Sequence, residues 1–247
     1  MKQSERRHLR TNEVASAVTW LTTGVVGHRS ALGWTLLGLV LVAAAVGGYF
    51  AWRYYVEGRA SVLLADGLVV ATTPVVTPAQ MLTNPPPQGQ QTFASTEARA
   101  EASVSKLLQA ADAYPSTTNG IAARYYAAAA LAETSKLDEA RQQYQQVIDR
   151  DGNGLWGRVA RLGLATVDLR AKRYDAAIAA FRDLATTADT DLPADGLLME
   201  LAAAYQQAGK RNEAVRTYNR IVNEFPDSLY VDEAKSRVET LKTPEAS

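Results

Sequence analysis

The segment LAAAYQQAGKRNEAVRTYNRIVNEFP, residues 201–226, decides the fold of this 247-residue chain, because its small and aromatic residues recur at a fixed distance. Four columns of similar residues are spaced by 37 positions. They are Ala128, Ala165 and Ala202; Ala140, Ala177 and Ala214; Tyr144, Phe181 and Tyr218; and Val147, Leu184 and Ile221. Another 37 positions upstream of the last three columns stand Ser103, Leu107 and Ala110, so half a repeat precedes three others. Such a period predicts a stack of one supersecondary unit.

Each unit is predicted to be a helical hairpin, which makes the fold class all-α. Within one repeat the four columns lie 12, 4 and 3 residues apart, the spacing of two helices whose small residues meet at a close crossing beside an aromatic side chain. We expect Asp138, Asp175 and Asn212 to be the N-caps of the second helices. The residues predicted to pack the hairpins are Ala128, Ala140, Tyr144, Ala165, Ala177, Phe181, Ala202, Ala214 and Tyr218.

These residues resemble tetratricopeptide repeats. Residues 201–226 carry the family's Leu-Ala, Tyr, Gly, Ala, Tyr, hydrophobic and Pro at the family's spacing, and the resemblance covers about residues 97–242. The period is 37 residues instead of the ~34 typical of the family. Ser135 and Lys172 stand where Gly209 does, which leaves the loop geometry of the first two hairpins open. The resemblance implies a superhelix of about 3.5 hairpins.

Residues 31–52, ALGWTLLGLVLVAAAVGGYFAW, are predicted to form a transmembrane helix. They carry no charge, and as a helix they would extend ~33 Å, enough to cross a hydrocarbon core of ~30 Å. A cleaved signal peptide is the alternative, but its apolar region is only about 7–15 residues long. Five basic residues precede the span, and Arg53 and Arg59 are the only two in the twenty residues after it. The positive-inside rule therefore predicts a cytoplasmic N-terminus and, in a bacterium, a periplasmic C-terminal domain.

The chain is predicted to have four parts: a basic tail at 1–30, the span at 31–52, a juxtamembrane segment with an uncharged Pro-rich linker at 53–95, and the repeat domain at 96–247. Apolar residues at helical spacing in the tail, from Val14 to Val25, are typical of an amphipathic helix on an anionic leaflet, and a disordered tail is the alternative. The five prolines of the linker favour an extended spacer.

Several kinds of chemistry are excluded by composition. The chain has no cysteine, and both histidines, His8 and His28, precede the span. The C-terminal part therefore lacks the residues of thiol nucleophiles, of histidine bases and of His/Cys zinc sites. Residues 53–247 also carry a slight acidic excess, whereas a nucleic-acid surface needs a basic patch. We expect no enzyme, no cofactor, no metal site and no nucleic-acid partner.

The segment DRDGNG, residues 149–154, begins like a calcium loop. A calcium loop needs a bidentate Glu at its twelfth position, which counted from Asp149 is Ala160. Gly152 shares a column with Pro115, Asp189 and Pro226, so we predict a turn between repeats, for which Asp-Gly and Asn-Gly suit the backbone. Weak calcium binding is left open.

A partner-binding groove is predicted on the concave face, which the first helices of stacked hairpins line. In the tetratricopeptide pattern the fifth column of the first helix points there. The predicted groove residues are Tyr125, Leu162, Thr166, Leu169, Met199 and Gln206. Such a groove suits hydrophobic segments of other proteins. The alternative is that these side chains are core residues covered by the next repeat.

The layout of tail, single anchor, spacer and repeat domain resembles the ancillary subunit family of the bacterial Sec translocon. That resemblance implies an inner-membrane adaptor that docks on translocon subunits and hands exported chains to periplasmic chaperones. An alternative is a scaffold for envelope assembly or cell division, because residues 114–131 and 225–241 are similar to repeats of such proteins. A remote alternative is an envelope hydrolase, which would need a buried carboxylate pair with a raised pKa.

Overall fold

The computed structural model describes residues 29–187 and 192–243, and their side chains from residue 34 onward. The predicted tail helix and Asp189 lie outside the described residues. The chain divides into two units, Met1–Tyr55 and Val56–Ser247. The described part is helical apart from an isolated bridge between Val75 and Phe93, so the all-α prediction is confirmed.

Ten helices lie in the described ranges. They are α1 (Arg29–Thr72), α2 (Pro78–Thr83), α3 (Thr96–Ala113), α4 (Thr118–Glu133), α5 (Leu137–Asp151), α6 (Leu155–Arg170), α7 (Tyr174–Thr186), α8 (Ala194–Gln207), α9 (Arg211–Glu224) and α10 (Val231–Lys242). Three full hairpins follow one another as α4–α5, α6–α7 and α8–α9. The helix α3 precedes them and α10 follows them, each as half of a hairpin.

The first unit contains an apolar helical surface with no protein packed on it. Within α1, residues 34–55 are all exposed, and Trp34 is 72% exposed. The segment Trp34–Thr72 is long and apolar enough to cross a membrane. At 44 residues, α1 would extend about 66 Å, roughly twice a hydrocarbon core, so only part of it is needed to cross one. The exposed part of α1 overlaps the predicted span.

The second unit begins with the last four turns of α1. Ala60 is fully buried, and Leu63, Leu64 and Leu68 pack on a cluster formed by α3 and α4. Gly67 marks a close crossing, since a Cβ there would lie 2.6 Å from Cδ2 of Leu107. These turns of α1 supply the helix that pairs with α3. The folded unit thus starts ahead of residue 96. The sequence pattern did not indicate this start, because the first helix of the unit lies outside the 37-residue period.

The Pro-rich linker closes on itself instead of extending as a spacer. The N–H of Val76 donates to the carbonyl of Phe93 at 2.8 Å, and the N–H of Phe93 donates to the carbonyl of Pro74 at 3.0 Å. Between these ends, Thr77 and Gln80 form a capping box that starts α2. The prolines leave their carbonyls free to accept, so a chain rich in proline can still be tied at its ends.

The nine residues predicted at the hairpin crossings are all buried, none of them more than 4% exposed. Ser103, in the same column as Ala140, donates its hydroxyl to the carbonyl of Gly67 at 3.3 Å. Small residues at these positions let the two helices of a hairpin approach closely, and the aromatic ring beside them fills the space. The column pattern therefore corresponds to the packing interior of each hairpin.

All three hairpin turns have the same geometry, whatever residue occupies them. Ser135, Lys172 and Gly209 have φ of 62°, 60° and 73°. In each turn this left-handed residue donates its N–H to the carbonyl three residues back, and the following residue donates to the carbonyl five residues back, at 2.8–2.9 Å. This is the Schellman arrangement. The loops that the sequence left open follow the geometry of the glycine-containing turn.

The predicted N-caps were wrong by two residues. The helices α5, α7 and α9 begin after Lys136, Arg173 and Lys210, and no side chain caps them. The Schellman turn ends with a basic residue whose ψ is between 61° and 67°, outside the helical range, and the helix starts directly after it, upstream of the acidic residue. The carboxylates pair across repeats instead: Asp138 accepts from Arg173 at 3.0 Å and Asp175 from Lys210 at 2.7 Å.

The segment DRDGNG forms a turn between α5 and α6. Gly152 follows α5 with φ 52°, and Gly154 precedes α6. A carboxylate oxygen of Asp151 accepts from the N–H of Gly157 at 2.9 Å, so Asp151 caps the new helix in place of the missing side chain of Gly154. Asp149 accepts from the side chain of Gln145 at 2.9 Å. Both carboxylates therefore have partners within the turn and helix.

Candidate partner-binding groove

The first helices of the hairpins, α4, α6 and α8, carry the six residues predicted for the groove, and the structure brings two of them to one cavity. Leu162 and Thr166 line that cavity. Leu169 is 6% exposed and lies in the core, against which Met199 also packs. Gln206 accepts a hydrogen bond from the Tyr218 hydroxyl at 3.3 Å. The remaining residue, Tyr125, belongs to an aromatic cluster.

That cluster fills the contact between α4, α5 and α6, which we call the aromatic joint. It consists of Tyr125, Tyr126, Tyr144 and Trp156. The Tyr125 ring lies 5.3 Å from Trp156 and 5.6 Å from Tyr144 between centroids, and Tyr126 lies 5.7 Å from Trp156. Burial raises the pKa of the Tyr125 and Tyr144 hydroxyls above the ordinary value. The neighbouring phenol of Tyr126 raises the pKa of Tyr125 further, and that of Tyr125 raises the pKa of Tyr144 further. This joint is closed by rings in edge and tilted contact.

The next joint, between α6 and α8, carries smaller residues at the same columns. Leu162 stands 37 residues after Tyr125, and Pro193 stands 37 residues after Trp156. A cavity of about 230 Å³ lies there, which we call the open joint. It is lined chiefly by Leu162, Thr166, Gly196, Leu197, Glu200 and Tyr230. The space that rings occupy in one repeat is thus left vacant in the next.

One wall of the open joint is held in place by hydrogen bonds. The Ser228 hydroxyl donates to the Asp195 carboxylate at 2.6 Å, and the Tyr230 N–H donates to the Ser228 hydroxyl oxygen at 3.1 Å. These contacts tie the loop before α10 to the first turn of α8. A Cβ added at Gly196 would lie 3.7 Å from Cε2 of Tyr230, so the Tyr230 ring lies at the edge of the cavity. Tyr230 remains 39% exposed there.

The open joint carries one carboxylate, that of Glu200. In the part of the chain that the structure describes, Glu200 makes no hydrogen bond or ion pair through its side chain. Glu200 is exposed as a residue, and the partial loss of hydration beside the cavity wall raises the pKa of its carboxyl group. The cavity therefore combines apolar walls, a phenol and an uncompensated negative charge.

The buried carboxylate of Asp168 has a different environment. Asp168 is 3% exposed and accepts from Nε of Arg141 at 3.0 Å and from Nε of Arg173 at 2.7 Å. Two guanidinium groups on one carboxylate form a structural ion-pair network. A hydrolase of the paired-carboxylate type needs two carboxylates facing each other across a cleft, which is not the arrangement of Asp168.

Sequence reasoning missed Gly196, Leu197, Glu200 and Tyr230 as cavity residues. A signal for two of them was present, since Tyr230 follows Trp156 and Pro193 in one column, and Glu200 follows Tyr126 and Gly163 in another. Comparing side-chain volumes between columns of neighbouring repeats would have indicated that the second joint is less filled than the first.

Comparisons with known proteins agree with this architecture. The model of the tetratricopeptide repeat-like domain family matches residues 32–234. A protein named ancillary SecYEG translocon subunit, from Neisseria gonorrhoeae (strain ATCC 700825 / FA 1090), is 29% identical over 227 residues, which are 90% of this chain and 92% of that protein.

Two solved structures of a Podosopora anserina putative kinesin light chain with nearly identical TPR-like repeats, one of them a variant, are also similar. They are 17% and 18% identical, cover 58% of this chain and 85% of theirs, and have a TM-score of 0.47.

Proposed function

The chain belongs to the tetratricopeptide repeat-like domain family, whose model spans residues 32–234. We propose that it is an inner-membrane adaptor of the Sec translocon. In this proposal α1 anchors the protein beside translocon subunits, and the repeat groove receives hydrophobic stretches of exported chains before chaperones take them. Repeats of this family present extended concave surfaces to peptides and helices of other proteins.

The observation that carries the proposal is the extent of the similarity to the ancillary SecYEG translocon subunit. A match over 90% of this chain necessarily includes both residues 31–52 and the repeat hairpins. Isolated repeat domains share a fold with many unrelated proteins, whereas a shared anchor and repeat domain in one order favour a shared role. Similarity over both the anchor and the repeats therefore supports a role at the translocon more strongly than similarity to a soluble repeat protein would.

Two features of the structure support the anchoring and the binding face. Residues 34–55 expose apolar side chains all round, as a lipid-facing helix does and a water-exposed helix does not. The open joint supplies an apolar cavity on the first helices of the hairpins. The basic residues before the span favour a cytoplasmic N-terminus, which would put the repeats in the periplasm.

Site-specific photo-crosslinking in cells tests the proposal. A crosslinker at Ala44, in the exposed apolar part of α1, is expected to capture translocon subunits. A crosslinker at Leu162, in the open joint, is expected to capture unfolded exported chains. Gln142, exposed on the outer helix α5, is the matched control and should capture neither. Capture of division or outer-membrane assembly proteins from both positions would favour the scaffold function instead.

The proposed orientation has its own test. Protease added to the outside of spheroplasts is expected to digest the repeat domain while a tag at the N-terminus stays protected. Protection of the repeat domain until the inner membrane is permeabilised would contradict a periplasmic location.

A further inference from the structure

The size of the open joint matches a single side chain. Its volume of about 230 Å³ exceeds the ~150 Å³ of an apolar cavity that holds a benzene-sized group. It is below the ~300–1,000 Å³ of sites for drug-sized ligands. An extended client chain lying across the first helices would therefore insert one residue here, and its other side chains would lie on the open face.

The charge of the open joint selects which side chain that is. Glu200, Glu233 and Arg237 all act electrostatically on the buried Tyr218 hydroxyl, and Arg237 is paired with Glu233 at 3.1 Å. The charge of Glu200 is left without a counterion among the described residues. Glu200 is exposed to solvent beside the cavity, so an incoming cation would reach its carboxylate directly and give it the counterion that no described residue supplies. The aromatic joint offers no such charge, because Gly163 and Tyr126 precede Glu200 in its column.

The walls fit the rest of a basic side chain. Leu162 and Leu197 offer apolar surface to the methylene stem of a lysine or arginine, whose charged end projects beyond it. The Tyr230 ring stands at the edge of the cavity, held by the Ser228 and Asp195 hydrogen bonds, and a cation over such a ring gains further attraction.

We infer that the open joint is a subsite for one lysine or arginine side chain within an otherwise apolar segment of a bound chain. The inference rests on the proposed function, since it specifies the segments that the groove receives. The apolar residues of the groove would not by themselves select for charge, and this subsite adds a preference for a basic residue.

Peptide binding to the full-length protein in detergent micelles tests the subsite. The probes are two fluorescein-labelled peptides, acetylated and amidated at their ends, of sequence Val-Leu-Val-Leu-Lys-Leu-Val-Leu and the same with Gln replacing Lys. Fluorescence anisotropy gives the dissociation constants. The wild-type protein is expected to bind the Lys peptide about tenfold more tightly, the size of one charge-assisted contact.

Three variants locate the preference. Glu200→Gln is expected to abolish the tenfold preference and to leave the affinity for the Gln peptide unchanged. Glu139→Gln removes the same charge from an exposed position on α5 and should retain the preference. Leu162→Tyr copies the aromatic joint and should also abolish the preference by filling the cavity, with the circular dichroism spectrum unchanged.

Two results would overturn the subsite: equal affinity of the wild type for both peptides, including no binding of either, or a preference that survives Glu200→Gln. The translocon proposal is judged separately by the Ala44 crosslinks, which do not involve the cavity. Intact crosslinks without a Lys preference overturn the subsite alone, and a Lys preference without translocon crosslinks overturns the docking partner alone.

Discussion

The aromatic joint and the open joint occupy the same columns of successive repeats, yet one is closed by rings and the other contains a cavity. In the first, Tyr125 packs on Trp156 with 5.3 Å between centroids. In the second, Leu162 and Pro193 replace them, and about 230 Å³ is left unfilled. The difference shows that the contacts between hairpins can vary in side-chain volume while the crossings within each hairpin stay buried.

The backbone frame on both sides of the joints is constant. All three hairpins turn through a left-handed residue with φ between 60° and 73°, and the crossing columns are buried in every repeat. Side-chain volume at the joint columns is therefore the variable that distinguishes the closed aromatic joint from the open joint. This interpretation can be tested by altering the joints and the frame separately.

Truncating the joint residues should have the largest effect and should separate the two joints most clearly. Tyr125→Ala removes a ring from contact with three other rings and should lower the free energy of unfolding by about 3 kcal/mol. Leu162→Ala, at the same column, enlarges an existing cavity and should cost only about 1 kcal/mol. Thermal unfolding of the full-length protein, followed by circular dichroism, measures both. Equal losses would mean that the open joint is packed as tightly as the aromatic one.

Adding a methyl group to each joint gives the converse test. A Cβ on Gly163 would lie 2.5 Å from Cζ of the buried Tyr144 ring, so Gly163→Ala should destabilise the protein by about 2 kcal/mol. Gly196→Ala places its methyl 3.7 Å from the nearest side chains of the open joint. It should be neutral or stabilise the helix by up to about 1 kcal/mol. Unfolding midpoints of the two variants that shift in the same direction would contradict the difference in packing.

The frame was predicted from the sequence, whereas the cavity at the open joint was not. The alanine and aromatic columns identified the crossings, since Ala202, Ala214 and Tyr218 repeat residues of the same size at buried positions. Whether Leu162 faces a cavity depends on the volume of Pro193 and on where the loop before α10 holds Tyr230, and the columns alone do not give that position. The helix that pairs with α3 was missed because the linker places it outside the 37-residue register.

Two local features were missed for chemical reasons. The N-caps were expected at Asp138 and Asp175, but the Schellman turn needs two residues after each helix and so assigns the acidic residues to the first helical turn. Lys172 was not recognised as a left-handed residue, because lysine rarely adopts that conformation. In both cases the helix packing on either side of the turn overrides the local preference.

Relieving that backbone strain tests whether the frame is equal at both joints. Lys172→Gly and Ser135→Gly should each raise the free energy of unfolding by about 1 kcal/mol, because glycine adopts φ near +60° without a steric penalty. Gly209→Ala is the matched reverse change and should cost about the same. Urea titrations of the three variants give the values. Unequal gains at residues 135 and 172 would show that the hairpins flanking the aromatic joint are not equivalent.

The smallest effect is expected from the ion pairs that bridge each joint along the second helices. Asp138 with Arg173 crosses the aromatic joint, and Asp175 with Lys210 crosses the open joint. The hydrogen bond from Lys210 lowers the pKa of the Asp175 carboxyl group, so the stability that this pair contributes is present at neutral pH and is lost as the pH falls through that lowered pKa. The same bond raises the pKa of Lys210, so the contribution is also lost as the pH rises through the raised value.

Both acidic partners are exposed, so Asp138→Asn and Asp175→Asn should each lower the unfolding temperature less than any of the destabilising changes above. The two decreases should be equal at pH 7, and both should vanish in 1 M salt, where the Debye length is ~3 Å. The ion pairs belong to the constant frame, so they should not distinguish the joints. If only Asp175→Asn lowers the unfolding temperature, part of the difference between the joints lies in the frame and not in the side chains at the joint columns.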